Sequence, residues 1–96
     1  MIFKGGDNLS PPFSMKITFS DHARYQIRVR ELTAKQVRLV VTKPDSFRAQ
    51  SDGRIQAAKK EIYAGKTYLL VVIYEQDKQR VEVITVFRTS KIKKYL

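Results

Sequence analysis

The chain has 96 residues, which is enough for one domain around one hydrophobic core, and 43% of them are hydrophobic, too many for a disordered chain. Nineteen Lys and Arg residues against nine Asp and Glu residues give a formal net charge of +10, and this surplus predicts a polyanionic partner: nucleic acid, an acidic protein or an anionic membrane surface. Because the chain has no Cys and only one His, disulfide scaffolds, thiolate zinc sites, cysteine nucleophiles and multi-histidine metal clusters are excluded.

Residues 1–14 differ in pattern from the rest of the chain. Gly, Asn, Ser and Pro residues interrupt them, no apolar period is maintained, and the charges of Lys4 and Asp7 cancel. We predict that residues 1–14 are a flexible arm or a non-native extension, and that residues 15–96 form a single domain carrying the whole net charge. No signal-peptide pattern is visible, and the longest apolar run, residues 68–74, is far shorter than the roughly 20 residues of a spanning helix. A cytoplasmic protein is therefore expected.

The residues from 15 to 43 predict a short strand followed by two helices. Residues 15–19 alternate like a strand, and the Ser-Asp pair at positions 20 and 21 can cap a helix. Residues 22–32 are ambiguous: their periodicity slightly favours a strand, whereas the cap, and the resemblance given below, favour a helix. A second helix is predicted to begin at Thr33, whose spacing to Gln36 matches a capping box, and to end before Pro44.

The second half of the chain predicts three antiparallel strands. They cover residues 54–63, 67–75 and 80–88, and turn signals separate them. The middle one is apolar on both faces, as expected for a central strand covered on each side. In the last one, strict alternation places Val83 on one face and Val86 and Arg88 on the other. The order β-α-α-β-β-β, with a short C-terminal tail or helix, is typical of an α+β domain whose helices pack on one sheet face.

The C-terminal residues 87–96 hold a dense group of cations. Arg88 ends a strand, where a fixed guanidinium can hold a phosphate bidentately. The residues that follow can add hydrogen bonds, charges and a ring for base stacking: Thr89, Ser90, Lys91, Lys93, Lys94 and Tyr95. The alternative is structural, with Ile92 and Leu96 packed on the sheet and the lysines simply solvated.

The first predicted helix adds a histidine and three arginines. His22 lies near its beginning, where a neutral imidazole close to a phosphate can serve as a general base; alternatively, its ring helps to cap the helix or packs under the sheet. Arg24, Arg28 and Arg30 follow, and residues 15–43 carry seven basic against two acidic side chains. These arginines are either ligands of nucleic acid or ordinary surface residues.

The motifs in residues 15–96 resemble a small bacterial and archaeal family of unknown function that is placed near the RelE/ParE-like toxins, including the BrnT-type ribonuclease toxins. The C-terminal run is the most specific part of a shared pattern that comprises His22-Ala23, Ile27, Arg30, Leu32-Thr33, Val37, Pro44-Asp45 and residues 88–95. Two positions depart from it. Gln26 stands where the pattern often has Arg, which weakens the phosphate-facing helix, and Glu31 stands where it often has Gly, which predicts a turn between the helices without a positive φ.

The resemblance implies a RelE/ParE-like fold, in which a two-helix hairpin packs on a curved antiparallel sheet with a basic concave face. It also implies metal-independent cleavage of mRNA, free or on the ribosome, by attack of the RNA 2′-hydroxyl on the neighbouring phosphate, without a cofactor. His22 would then be the base, Arg30 and Arg88 the phosphate clamps, and Lys91 or Tyr95 the group near the leaving oxygen. Further nucleic-acid contacts would come from Arg24, Arg28, Thr89, Ser90, Lys93 and Lys94.

An acidic antitoxin protein is the partner that the resemblance implies, and exposed strand edges leave room for a homodimer. The alternative function is a non-catalytic basic module that binds nucleic acid or an acidic protein. A third interpretation, gyrase inhibition as in ParE-type toxins, requires contact with protein rather than RNA. A membrane-surface role is disfavoured, because no long helix joins a basic face to an apolar one.

Overall fold

The structure, a computed structural model, describes residues 16–96, so the predicted arm over residues 1–14 lies outside the described residues. The described part is an α+β domain, which confirms the predicted class. Its elements in chain order are β1 Lys16–Phe19, α1 Asp21–Val29, α2 Ala34–Thr42, β2 Ser46–Ala49, β3 Ile55–Tyr63, β4 Lys66–Gln76, β5 Arg80–Thr89 and α3 Ile92–Tyr95. The longest described helices have nine residues, and none of the helices in this part of the chain qualifies as a membrane span.

The five described strands form one mixed sheet in the order β1-β5-β4-β3-β2. The pairs β2–β3, β3–β4 and β4–β5 are antiparallel, whereas β1 runs parallel to β5. The sheet is therefore mixed, and the prediction of a wholly antiparallel sheet is wrong at β1. Residues 46–49, which form β2, were not predicted to be a strand.

The strand β4 lies at the centre of the sheet and is covered on both faces, as its sequence predicts. Both α1 and α2 pack on one face, which we call the helix face, against side chains that include Leu70 and Val72. The short helix α3 packs on the opposite face against Leu69 and Val71. Two apolar layers thus share the central strand, and the larger of them lies under α1 and α2.

Capping interactions explain where the two long helices begin. The Ser20 hydroxyl accepts a hydrogen bond from the Ala23 N–H at 3.0 Å, and α1 is a helix despite the strand-like alternation in its sequence. At α2 the predicted capping box is confirmed: the Gln36 N–H donates to the Thr33 hydroxyl, and the Gln36 side chain accepts from the Thr33 N–H at 2.9 Å.

The turn after α1 contradicts the expectation of a negative φ. Glu31 has φ = 57°, in the left-handed region that Gly normally occupies. The Leu32 N–H donates to the Ile27 carbonyl and the Glu31 N–H to the Arg28 carbonyl, which is the hydrogen-bond pattern of a Schellman motif. This closure brings Leu32 into the core at 7% exposure, so the burial of Leu32 accompanies a strained backbone at Glu31.

A β-bulge in β5 corrects the predicted alternation of that strand. Val83 lies opposite Tyr74 and Thr85 opposite Ile73, so Ile84 is an extra residue. After the bulge the inward and outward positions exchange. Val86 therefore joins Val83 in the core under the helices, and Arg88, opposite Leu70, lies on that same face rather than the other.

The helix α1 supplies the hydrogen bonds that a neighbouring strand would give to the bulged segment. The Ser20 N–H donates to the Val83 carbonyl, and the Ser20 hydroxyl donates to the Ile84 carbonyl at 3.1 Å. The Val86 N–H donates to Gln26 Oε1 at 2.7 Å. Gln26 stands where the resembled family pattern often has Arg. Its side chain is buried and completes the backbone hydrogen bonding of β5.

Candidate nucleic-acid interface

The two ends of the sheet differ strongly in charge. The β3–β4 turn and the C-terminal end of β5 meet at one end, because Tyr63 pairs with Lys66 and Leu69 with Thr89. We call this the basic end. Its seven cations face only two described carboxylates, a net charge of +5, and comprise Lys59, Lys60, Lys66, Arg88, Lys91, Lys93 and Lys94, against Asp45 and Glu61.

The opposite end of the sheet is electrically balanced. It contains the β4–β5 turn and the beginning of β1, which meet because Lys16 pairs with Arg80. Four cations and four acidic side chains occupy it: Lys16, Arg54, Lys78 and Arg80, with Asp52, Glu75, Asp77 and Glu82. The large net charge of the chain is thus distributed unevenly along the sheet, and a polyanion is attracted towards the basic end.

At the basic end, Arg88 is held between an acidic and an aromatic side chain on the helix face. Its Nη2 lies 3.6 Å from Glu61 Oε1, and its guanidinium carbon lies 4.0 Å from the centre of the Tyr63 ring. The Tyr68 ring packs edge-on against Tyr63, with ring centres 6.3 Å apart and planes at 71°. Only 14% of the Arg88 side chain and 20% of the Glu61 side chain are exposed. We call these four residues the Arg88 cluster.

The pairing of Arg88 with Glu61 is incomplete. Arg88 Nε and Glu61 Oε2 are both buried without a hydrogen-bond partner among the described residues, so the two side chains do not form the two-bond fork typical of Arg and a carboxylate. A largely buried pair with unsatisfied polar atoms contributes little net stability, because desolvation offsets the attraction. Its clearest effect is geometric: it fixes the guanidinium over Tyr63.

The two remaining C-terminal candidates for catalysis do not join the Arg88 cluster. Tyr95 packs edge-on against Phe87, with ring centres 5.5 Å apart, on the sheet face opposite to Arg88. Ile92 packs in the same layer, as the structural alternative for this segment expects, whereas Leu96 is exposed. Lys91 lies in the turn after β5, where its N–H donates to the Thr89 hydroxyl at 3.0 Å.

His22 is also separate from Arg88. It is exposed in the first turn of α1, and that helix begins beside Val83. Arg88 lies five residues further along β5; because Ile84 is an extra residue, this corresponds to four steps on β4, from Tyr74 to Leu70, or roughly 13 Å. The structure therefore does not bring the predicted base within hydrogen-bond reach of the predicted phosphate clamp, and the exposure of His22 excludes a ring buried under the sheet.

The arginines of α1 extend the cationic surface towards the basic end. Arg24 donates from Nε to the Phe19 carbonyl at 3.3 Å, and Arg28 lies 5.7 Å from the centre of the Tyr25 ring. Gln26 is fixed beside Val86, and both α1 and β5 advance by roughly 6 Å from there to Arg30 and Arg88 respectively. Arg30 is therefore about level with Arg88 along the strand direction.

The sequence interpretation missed three members of the Arg88 cluster: Glu61, Tyr63 and Tyr68. All three lie in a β-hairpin whose pairing places Glu61 opposite Tyr68, while Arg88 belongs to a strand reached only through the β4–β5 turn. The recurrence of Glu61 and Tyr63 at positions i and i+2 showed that they share a sheet face. The sequence carried no signal that this face would receive Arg88.

Asp77 and Tyr74 have shifted pKa values, and both residues lie away from the Arg88 cluster. Hydrogen bonds from the backbone N–H groups of Gln79 and Arg80 to Asp77 lower the pKa of that exposed carboxyl. Burial raises the pKa of Tyr74 in the core under the helices. Within residues 16–96, no set of three or more His, Asp or Glu side chains is arranged to hold a metal ion.

Comparison with known proteins does not place the chain in a family: no protein-family model, no curated protein and no solved structure matches it. The similarity to RelE/ParE-like toxins therefore rests on the sequence motifs alone. What the structure itself defines is a small α+β domain with a basic end and a preorganised arginine–tyrosine cluster there.

Proposed function

We propose that this chain is an RNA-binding protein and that the basic end is its RNA-contacting surface. The uneven distribution of charge carries this proposal: a net of +5 is concentrated at one end of the sheet, whereas the other end is balanced. Clustered lysines and arginines bind phosphates by displacing counterions, and a local surplus attracts a polyanion in a defined orientation. The exposed aromatic ring of Tyr63, at 44% exposure, adds a surface that can contact a base.

The finer fold assignment, RelE/ParE-like, is part of the proposal. Two features support it: the described elements begin with a strand and two helices, and both helices pack on the same sheet face. An acidic antitoxin that covers the cationic surface, a cytoplasmic location and a homodimer formed through a strand edge follow from the same resemblance, and each is an expectation about the protein in its cell.

The geometry favours binding over cleavage. General acid–base catalysis needs its groups within hydrogen-bond reach of the reacting atoms. The predicted base, His22, lies in the first turn of α1, which begins beside Val83, roughly 13 Å along the strand direction from Arg88, and Tyr95 packs on the opposite sheet face. The non-catalytic module is therefore the better supported function. Metal-independent ribonuclease activity is the second candidate, favoured by the level placement of Arg30 and Arg88, the two proposed phosphate clamps.

A salt-dependent binding titration tests this proposal. We expect a labelled short RNA to bind, and its affinity to fall with salt at a logarithmic slope of about −0.7 per phosphate contacted. Absence of binding at low salt would contradict RNA binding. The same mixtures, incubated with a chelator and resolved on a gel, separate the two candidates: intact RNA supports the binding module, whereas cleavage that Arg88→Ala abolishes supports the ribonuclease.

A further inference from the structure

We infer that the Arg88 cluster is a stacking site for one unpaired base, with Tyr63 as the platform, and that the RNA bound at the basic end is therefore single-stranded. This inference rests on the proposed RNA binding and specifies its substrate class. A base inside a duplex has both faces covered by its neighbours, so a tyrosine platform serves bases that have left the stack.

The Tyr63 ring is both held in place and accessible. The Arg88 guanidinium contacts one face of it at 4.0 Å, and the edge-on contact with Tyr68 restricts its rotation. Yet 44% of the residue is exposed, at the last position of β3 before the turn. An immobile, exposed aromatic surface binds a base with little loss of side-chain entropy.

Arg88 and Glu61 act as positioning residues for this platform. Each of them is at least four-fifths buried, and each contacts the other, so the guanidinium cannot leave the ring without breaking the ion pair. The positive charge is thereby retained next to the aromatic surface, where it also attracts the phosphates that flank a stacked base.

Two exposed lysines lie at the same end of the sheet as the platform. Lys66 is the cross-strand partner of Tyr63, and Lys91 follows the end of β5. Both are exposed, and either can contact the phosphate on one side of a base stacked on Tyr63.

A second exposed tyrosine with a neighbouring arginine provides an internal comparison. Tyr25 on α1 is 55% exposed, but Arg28 lies 5.7 Å from its ring centre and is itself exposed. This pair is looser, and among the described residues no carboxylate lies within 4.0 Å of the Arg28 guanidinium, whereas Glu61 pairs with Arg88. Tyr25 is therefore the matched control for an exposed aromatic residue without a fixed arginine.

The test measures the affinity of Tyr63→Ala, Tyr63→Phe and Tyr25→Ala for a single-stranded RNA and for a duplex of the same sequence. Loss of one stacked base predicts roughly 5- to 100-fold weaker single-strand binding for Tyr63→Ala. Tyr63→Phe and Tyr25→Ala should stay within about 2-fold of the original affinity, because the ring is kept in one and the platform in the other. Duplex binding should be unchanged by Tyr63→Ala.

A fluorescent base reports stacking directly. An RNA containing 2-aminopurine should be quenched by the original protein and by Tyr63→Phe, but not by Tyr63→Ala. Arg88→Met should reduce both the quenching and the single-strand affinity, and Arg88→Lys should restore part of them, since a lysine retains a cation near the ring.

The stacking site is overturned if Tyr63→Ala binds single strands as tightly as the original protein, or weakens single strands and duplex equally while both proteins are folded by circular dichroism. A different result, in which the original protein binds neither RNA, would instead contradict the proposed function. The two failures are therefore distinguishable in the same set of titrations.

Discussion

Gln26 shows how one side chain links a helix to an irregular strand. It is 8% exposed, and its Oε1 accepts a hydrogen bond from the Val86 N–H just after the bulge of β5. We predict that Gln26→Met lowers the free energy of unfolding by about 1–3 kcal/mol, because the Val86 N–H remains buried without an acceptor. Chemical denaturation measures this loss.

The exposed Gln79, in the β4–β5 turn, is the matched control for this prediction. Gln79→Met should change the free energy of unfolding by less than about 0.5 kcal/mol, as surface substitutions usually do. Equal stability of the two variants would show that the Gln26 hydrogen bond is unimportant. Hydrogen exchange at the Val86 amide should also become faster only in Gln26→Met.

Tyr74 makes the stability of the fold sensitive to high pH. Burial raises the pKa of its hydroxyl above its ordinary value of 10.0, so the unfolded chain ionises first. The stabilisation is fully present below that ordinary pKa and is lost as the pH rises towards the raised value in the folded state. We predict that Tyr74→Phe reduces the decline in stability above pH 10, and that its stability curve below pH 9 runs parallel to that of the original protein.

Thermal denaturation across this pH range, with Tyr63→Phe as the comparison, checks the prediction. Tyr63 is 44% exposed and is the matched control for the removal of one tyrosine hydroxyl outside the core. The same steep decline in Tyr74→Phe would contradict a contribution from Tyr74.

At the scale of elements, the helix caps could be predicted from the sequence, whereas the β-bulge could not. The Thr33 capping box involves residues only three positions apart, so the sequence displays it completely. The bulge at Ile84 depends on how β4 and β5 align, and one extra residue moved Arg88 to the other sheet face. The sequence therefore predicted the β5 strand but assigned its second half to the wrong sides.

Glu31 provides the clearest test of an element boundary. Its φ of 57° is strained for any residue with a Cβ, and the Schellman motif keeps it in that conformation. We predict that Glu31→Gly raises the free energy of unfolding by about 0.5–1 kcal/mol, because relief of strain exceeds the entropy that Gly adds to the unfolded chain.

The neighbouring Arg30, with φ = −96°, is the control position. Arg30→Gly should lower the free energy of unfolding, since no strain is relieved there and only the unfolded chain gains freedom. Chemical denaturation of Glu31→Gly and Arg30→Gly under the same conditions measures both changes in the free energy of unfolding. If both glycines destabilise, the left-handed turn after α1 is not strained.

At the scale of the whole molecule, the sequence predicts the amount of charge but not its distribution. A net of +10 follows from composition alone. The strand register brings three cations together at one end: Lys66, Arg88 and Lys91. The first and the last of them are 25 positions apart in the sequence. The same register places Glu61 beside Arg88, so the residue predicted as a phosphate clamp has an intramolecular partner.

A pair of triple variants tests the central claim, that RNA binds at the basic end. One variant replaces Lys91, Lys93 and Lys94 with Ala; the other replaces Lys16, Lys78 and Arg80, at the balanced end, with Ala. Both lose the same charge, so any difference between them reports where RNA binds.

The measurement is the affinity for single-stranded RNA as a function of salt. We predict that the basic-end variant binds on the order of 10- to 100-fold more weakly, with the logarithmic salt slope reduced in magnitude by about 2, while the other variant stays close to the original protein. Equal losses in the two variants, or a larger loss at the balanced end, would contradict the account.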